Sequence, residues 1–201
     1  MEIEQKVISI VLLIYVLVAM VACSYNIDLL QPTGKKIGGV PASEAAVQAD
    51  LPALNSLKAC YEQVGQNTGI PAAVIAAIAS RETRGGATIA SKSGWSSDNR
   101  YYGILQCNIR IHCDLESTSV PWNSCDHIQM IISKVLLPYI AKVKATHPNW
   151  TPEKILQGGV AAYNFGVSNV HTWTGIDVGT TGGDYSNDVM ARAQWLKRNG
   201  W

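Results

Sequence analysis

Residues 71–86 read PAAVIAAIASRETRGG, and the fold follows from this stretch. Pro71 suits the start of a helix, and the Gly85-Gly86 pair suits its end. Between them residues 72–79 are apolar without exception, so the helix has no polar face to offer to water. Such a helix belongs in the centre of a domain, and its alanines let neighbouring helices approach closely. Glu82 emerges from the last turn. Burial raises the proton affinity of a carboxyl group, and the negative end of the helix dipole disfavours its charge further. A carboxyl group kept neutral near pH 7 can donate a proton to a departing glycosidic oxygen. The plain alternative is a surface Glu82 paired with Arg81 or Arg84.

A helical pattern begins at Ser43, and Asp50 ahead of Leu51-Pro52 predicts a restart. Leu51, Leu54, Leu57, Tyr61 and Val64 then recur at helical spacing. Residues 87–125 lack that period and are rich in Ser, Gly, Asn and Cys, which predicts loops with a small hairpin around 101–111. Ile128, Ile131, Ile132, Val135, Leu136, Tyr139, Ile140 and Val143 mark an amphipathic helix kinked at Pro138. Thr151-Pro152 starts a helix running to about Tyr163, and Asp184 is the expected cap of a last helix ended by Gly200. The expected fold is α+β, predominantly α-helical, with a small irregular β lobe. The domain is placed at 39–201, after a flexible leader at 24–38.

Residues 7–23 are apolar apart from Ser9 and Tyr15, follow Lys6, and end in small residues. Residues 1–23 therefore read as a secretory signal, with an uncleaved membrane anchor as the alternative. A secreted, extracellular protein is expected. The 201 residues carry 16 Lys+Arg and 15 Asp+Glu, a net charge of +1. That balance counts against a nucleic-acid partner, which demands a basic face. Hydrophobic residues at 47% exclude a disordered chain. Removing residues 1–23 leaves Cys60, Cys107, Cys113 and Cys125, enough for two disulfides in three connectivities. Cys60 has no evident local partner and reads as a candidate free thiol. The cluster of Cys107, His112, Cys113, Cys125 and His127 raises a structural metal as a rival, but its spacing matches no standard zinc site. No metal is expected.

Aromatic and amide side chains gather downstream of Glu82: Gly94-Trp95, GILQ at 103–106, Tyr163-Asn164 and Tyr185. Sugars are bound by aromatic faces and paired amides, so Gln106, His112, Tyr163, Asn164 and Tyr185 fit a glycan cleft. The helix at 71–86, the Gly94-Trp95 pair, GILQ, AAYNFGVSNV at 161–170 and IDVGTTGGDYSNDVMARAQ at 176–194 together resemble the goose-type lysozymes. The resemblance extends over about 39–201. It implies a lysozyme-like fold and cleavage of the β-1,4 bond between N-acetylmuramic acid and N-acetylglucosamine in peptidoglycan. It puts Glu82 at the position of the catalytic acid and His112, Tyr163, Asn164 and Tyr185 at cleft positions. It implies no cofactor, no obligate protein partner and a monomer.

One departure bears on mechanism. The family usually places two aspartates opposite the acid to hold and activate the attacking water. Here those positions carry Ser97, with Asp98 displaced by one, and Asn108. Asn108 can hold a water but cannot take its proton. Asp98 is therefore the candidate base, and Asn108 a binding residue. The alternatives are attack by the substrate's own acetamido group, as in related lytic transglycosylases with a 1,6-anhydro product, and a cleft that binds peptidoglycan with little turnover.

Overall fold

A computed structural model describes residues 25–201. The apolar segment at 7–23, and with it the export reading, lies outside the described residues. Among those described, no helix is long and apolar enough to cross a membrane.

The apolar stretch forms helix α3 (Ala72–Thr83), with α1 (Gly39–Asn55) and α2 (Lys58–Thr68) ahead of it. Every residue from Ala73 to Ser80 is buried, as expected for a helix without a polar face. It packs against α1, α2 and α7 (Tyr185–Arg198). Its stop comes one residue earlier than Gly85. Arg84 already adopts the left-handed conformation (φ 55°), and the amides of Arg84 and Gly85 close on the carbonyls of Ser80 and Ala79.

Helix α1 runs through Pro52 without the expected restart at Asp50. Pro52 lies in its last turn, where it offers no amide hydrogen to the carbonyl four residues back, and the helix ends three residues later. The carboxylate of Asp50 instead turns inward, accepting from Ser80 Oγ (2.7 Å) and Arg84 Nε (3.0 Å). The chain breaks at Ser56-Leu57, so Leu51 and Val64 belong to different helices. The expected hairpin is short: β1 (Tyr101–Tyr102) pairs antiparallel with β2 (Cys107–Asn108).

The amphipathic helix at 125–146 is irregular where Pro138 predicts. Helix α4 (Cys125–Ile131) continues through a widened π turn (Ile132–Leu136) into α5 (Leu137–Thr146). Pro138 has no amide hydrogen for the carbonyl four residues back, and the ladder adjusts before it. Thr151 caps α6 (Pro152–Phe165) as expected, its hydroxyl accepting from the Lys154 amide. Gly159 lets α6 press on α5, since a Cβ there would lie 2.3 Å from Ile140 Cγ1.

Two expectations need correction. Asp184 occupies the cap position of α7 but makes no capping bond. Its carboxylate is held by Arg81 and the Lys36 amide, and Asp177 caps the helix instead, accepting from the amides of Ser186 (2.8 Å) and Asn187 (2.9 Å). Residues 25–38 are no flexible leader. Ile27 and Leu30 are buried, Gln194 donates to both their carbonyls, and the Thr33 amide binds Asn187. Partners more than 150 residues away in sequence hold this segment on α7.

The cysteines form Cys60–Cys125, joining α2 to α4, and Cys107–Cys113, closing the loop beyond the hairpin. Cys60 is thus not a free thiol. The bonds consume the thiolates a metal at this cluster would need, and no group of three or more His, Cys, Asp or Glu suited to a metal exists among the described residues. In the chain-entropy account the longer loop stabilises more. Replacing Cys60 and Cys125 by Ala should lower the unfolding free energy by about 4 kcal/mol, against about 2 kcal/mol for the other pair. Urea unfolding of the two double variants measures the difference.

Candidate active site

The end of α3 is held by a charged network. Arg81 donates to Asp188 (2.5 Å), Asp184 (2.9 Å) and the Thr181 carbonyl (2.9 Å). Arg192 donates to both oxygens of Asp188 and to Ser80 Oγ, and lies 3.6 Å from Asp50. Burial alone would raise the proton affinity of Asp188, but its hydrogen bonds and the Arg192 charge hold it below the usual carboxylate range. This explains the fate of Glu82. Arg81 and Arg84, the partners offered by the plain reading, are engaged by other carboxylates.

Glu82 is left with a neutral partner, the Tyr185 hydroxyl, which donates to Oε1. Desolvation pushes the Glu82 carboxyl up to about 7, against the opposing pull of that hydrogen bond and of the Arg81 charge. Tyr185 itself is buried beneath the Arg81 guanidinium, 5.5 Å from its ring centre. Burial thus holds the proton affinity of Glu82 well above the usual carboxylate range.

A cavity of about 350 Å³, of which Glu82 is not a lining residue, has Gln106, Asn108, His112, Tyr139, Tyr163 and Asn164 in its wall. Tyr163 donates to the Leu105 carbonyl (2.7 Å) and lies within electrostatic reach of Glu82, linking the cavity to the acid. Asn164 grips Thr181 through its side-chain oxygen and nitrogen, at 2.8 and 3.1 Å. Gln106 stands at φ 52° in the hairpin turn, its amide donating to the Gly103 carbonyl. The oxygen of Asn108 accepts from the Arg110 amide, while its carbonyl gathers the amides of Ile111, His112 and Cys113. His112 pairs with the Tyr139 hydroxyl at 2.8 Å, and burial beside Lys142 lowers its proton affinity.

The structure thus gathers Gln106, Asn108, His112, Tyr163 and Asn164 around one cavity and puts Tyr185 directly on Glu82. Asp98 is elsewhere. It sits on the exposed loop before β1, binding Ser96 Oγ (2.7 Å), the Arg100 amide (3.1 Å) and Arg100 Nε (2.6 Å). These bonds hold its carboxyl down to about 2. Sequence reasoning missed Tyr139, which the helical period assigned to packing, and the role of Arg81 in steering charge around Glu82. The RE pair was the only local signal for Arg81.

The profile of the family described as Lysozyme g matches residues 19–200. A lysozyme g of Gallus gallus is 38% identical over 171 residues, covering 85% of this chain and 78% of its own. One from Cyprinus carpio is 39% identical, with 82% and 85% covered. A Lottia gigantea protein named for its glycine, glutamate and proline content is 48% identical over 169 residues, and this chain spans only 39% of its length. An acid isolated at the end of a buried helix, linked through Tyr163 to an aromatic and amide-lined cavity, agrees with that match over most of the sequence: the chain belongs to the lysozyme g family, whose members are glycoside hydrolases.

Proposed function

We propose that the protein hydrolyses the β-1,4 bond between N-acetylmuramic acid and N-acetylglucosamine in peptidoglycan, as a secreted monomer, with Glu82 as the general acid. The observation that carries this reading is the setting of Glu82 at the end of a buried helix, bonded by the Tyr185 hydroxyl. Its carboxyl group meets a neutral hydroxyl instead of a cation and retains its proton up to about pH 7. Protonating the leaving oxygen lets the glycosidic bond break with charge developing on the sugar ring. Gln106, Asn108, His112, Tyr163 and Asn164 line the cavity that would hold the glycan.

The water that completes hydrolysis must give up a proton. Asp98 is the available carboxylate, and its bonds to Ser96 and Arg100 make it a weak proton acceptor. The water, oriented by Asn108, therefore bonds first to the positively charged anomeric carbon and passes its proton afterwards to bulk water, so the reaction leans little on a protein base.

Glu82→Gln should lower the rate of peptidoglycan cleavage by roughly 10³-fold, measured by clearing of a bacterial wall suspension. Retained activity would remove Glu82 from the mechanism. Asp98→Asn should cost far less, and a loss equal to that of Glu82→Gln would make Asp98 the base after all. Mass spectrometry of the digest should find reducing muramic ends; 1,6-anhydro ends would replace hydrolysis by intramolecular transfer.

The pH dependence has a definite sign. Activity should fall as pH rises through about 7 and Glu82 loses its proton. Tyr185→Phe removes a donor that stabilises the charged carboxylate, so the alkaline limb should move to higher pH. A carboxyl group with raised proton affinity contributes its full stability below its unfolded value of about 4.5 and loses it as pH rises through about 7. Glu82→Gln should accordingly stabilise the fold above pH 7 and change little below 4.5, as thermal unfolding at the two pH values would register.

A further inference from the structure

A second cavity, of about 400 Å³, opens against the end of α3, with a lining wholly separate from that of the glycan cavity. Lys35, Arg81, Arg84 and Arg192 contribute to its wall, with Asp50 as the single carboxylate. Two of the four cations are already committed. Arg81 is taken by Asp184 and Asp188, and Arg192 by Asp188 and Asp50. Lys35 is not, and Arg84 is committed through Nε alone. Arg84 uses Nε on Asp50, and its terminal nitrogens have no partner among the described residues. The ammonium group of Lys35 has none either, although the Lys35 backbone is pinned by Ser43.

Arg84 is also where glycine would be favoured. It caps α3 in the left-handed conformation, at φ 55°, which costs a side-chain-bearing residue about 1 kcal/mol. Its side chain nevertheless remains 61% exposed. The Asp50 contact accounts for Nε and leaves the outward fork of the guanidinium unused. A planar fork of N–H donors next to a point positive charge matches a tetrahedral oxyanion, with two oxygens on the guanidinium and one on the ammonium. Ala49 keeps the wall low, leaving room for such a group.

We propose that this cavity binds a phosphate-type oxyanion, held by the terminal nitrogens of Arg84 and the ammonium group of Lys35. Free phosphate can meet the fork and the ammonium with three separate oxygens, and the phosphodiester of an anionic polymer can meet them with its two non-bridging oxygens, one of them shared. The site does not depend on the hydrolytic assignment of Glu82.

Titration calorimetry of the purified protein with inorganic phosphate, and separately with a glycerol phosphodiester oligomer, tests the proposal at ionic strength fixed with chloride. Saturable binding is expected for at least one probe. Tighter binding of the oligomer would assign the site to a polymer, and binding of inorganic phosphate alone to the free ion. Lys35→Gln removes a side chain without a partner among the described residues and should weaken binding roughly tenfold, the loss of one charge-assisted contact. Ala49→Leu leaves every charge in place, sits at an exposed helix position and should block binding by filling the wall. No binding above the chloride background, or wild-type affinity in both variants, would overturn the proposal.

Discussion

The buried contact of Asp188 with Arg192 and Arg81 governs the arrangement of the rest. Asp188 and Arg192 project from α7, Arg81 and Ser80 from the end of α3, and Asp50 from α1, so three helices meet at one set of charges. Their desolvation is tolerable only while each charge keeps its partners. Removing one partner from such a buried set typically costs about 3–5 kcal/mol. The geometry is therefore all or none. It also consumes the cations nearest Glu82 in sequence. A carboxyl group that would otherwise form an ordinary ion pair is left with a phenol hydroxyl, and its chemistry follows from that substitution.

The opposite side of the cleft depends on backbone carbonyls as much as on side chains. The Thr83 hydroxyl donates to the Ile104 carbonyl (2.8 Å) and Tyr163 to that of Leu105, tying the turn at 103–106 to α3 and α6. Gly103 is required there, because a Cβ would lie 1.9 Å from the His127 ring. The cleft wall is thus an irregular turn clamped from two helices, and the Cys107–Cys113 bond closes the loop that presents His112. A short hairpin of two-residue strands would not hold such a wall without these ties.

Local signals were legible where they depended on neighbouring residues. The apolar run at 72–79, the Thr151-Pro152 start and the irregularity ahead of Pro138 all follow from backbone chemistry within one or two turns. The misreadings share one cause. Asp184 looked like a cap and serves Arg81; Asp50 looked like a helix start and serves Ser80, Arg84 and Arg192. Residues 25–38 looked free and are held by Gln194 and Asn187. Each is a short-range rule outweighed by a partner far along the chain, where the buried setting makes the long-range bond the stronger one. Asp98 is the converse case. It is near the expected position in sequence, but its local bonds to Ser96 and Arg100 take the carboxylate for the loop itself.

The sequence alone determined that a helix without a polar face must lie at the centre, that Glu82 leaves its end, and that aromatic and amide residues follow in an irregular segment. Those conclusions need only periodicity, propensity and the residues themselves. Only the tertiary structure decided which charges meet, which cysteines bond, and that Glu82 faces Tyr185 rather than an arginine. Pairing across a hundred residues is set by how helices pack around a common core, and a carboxyl group's proton affinity is set by whatever packing brings beside it.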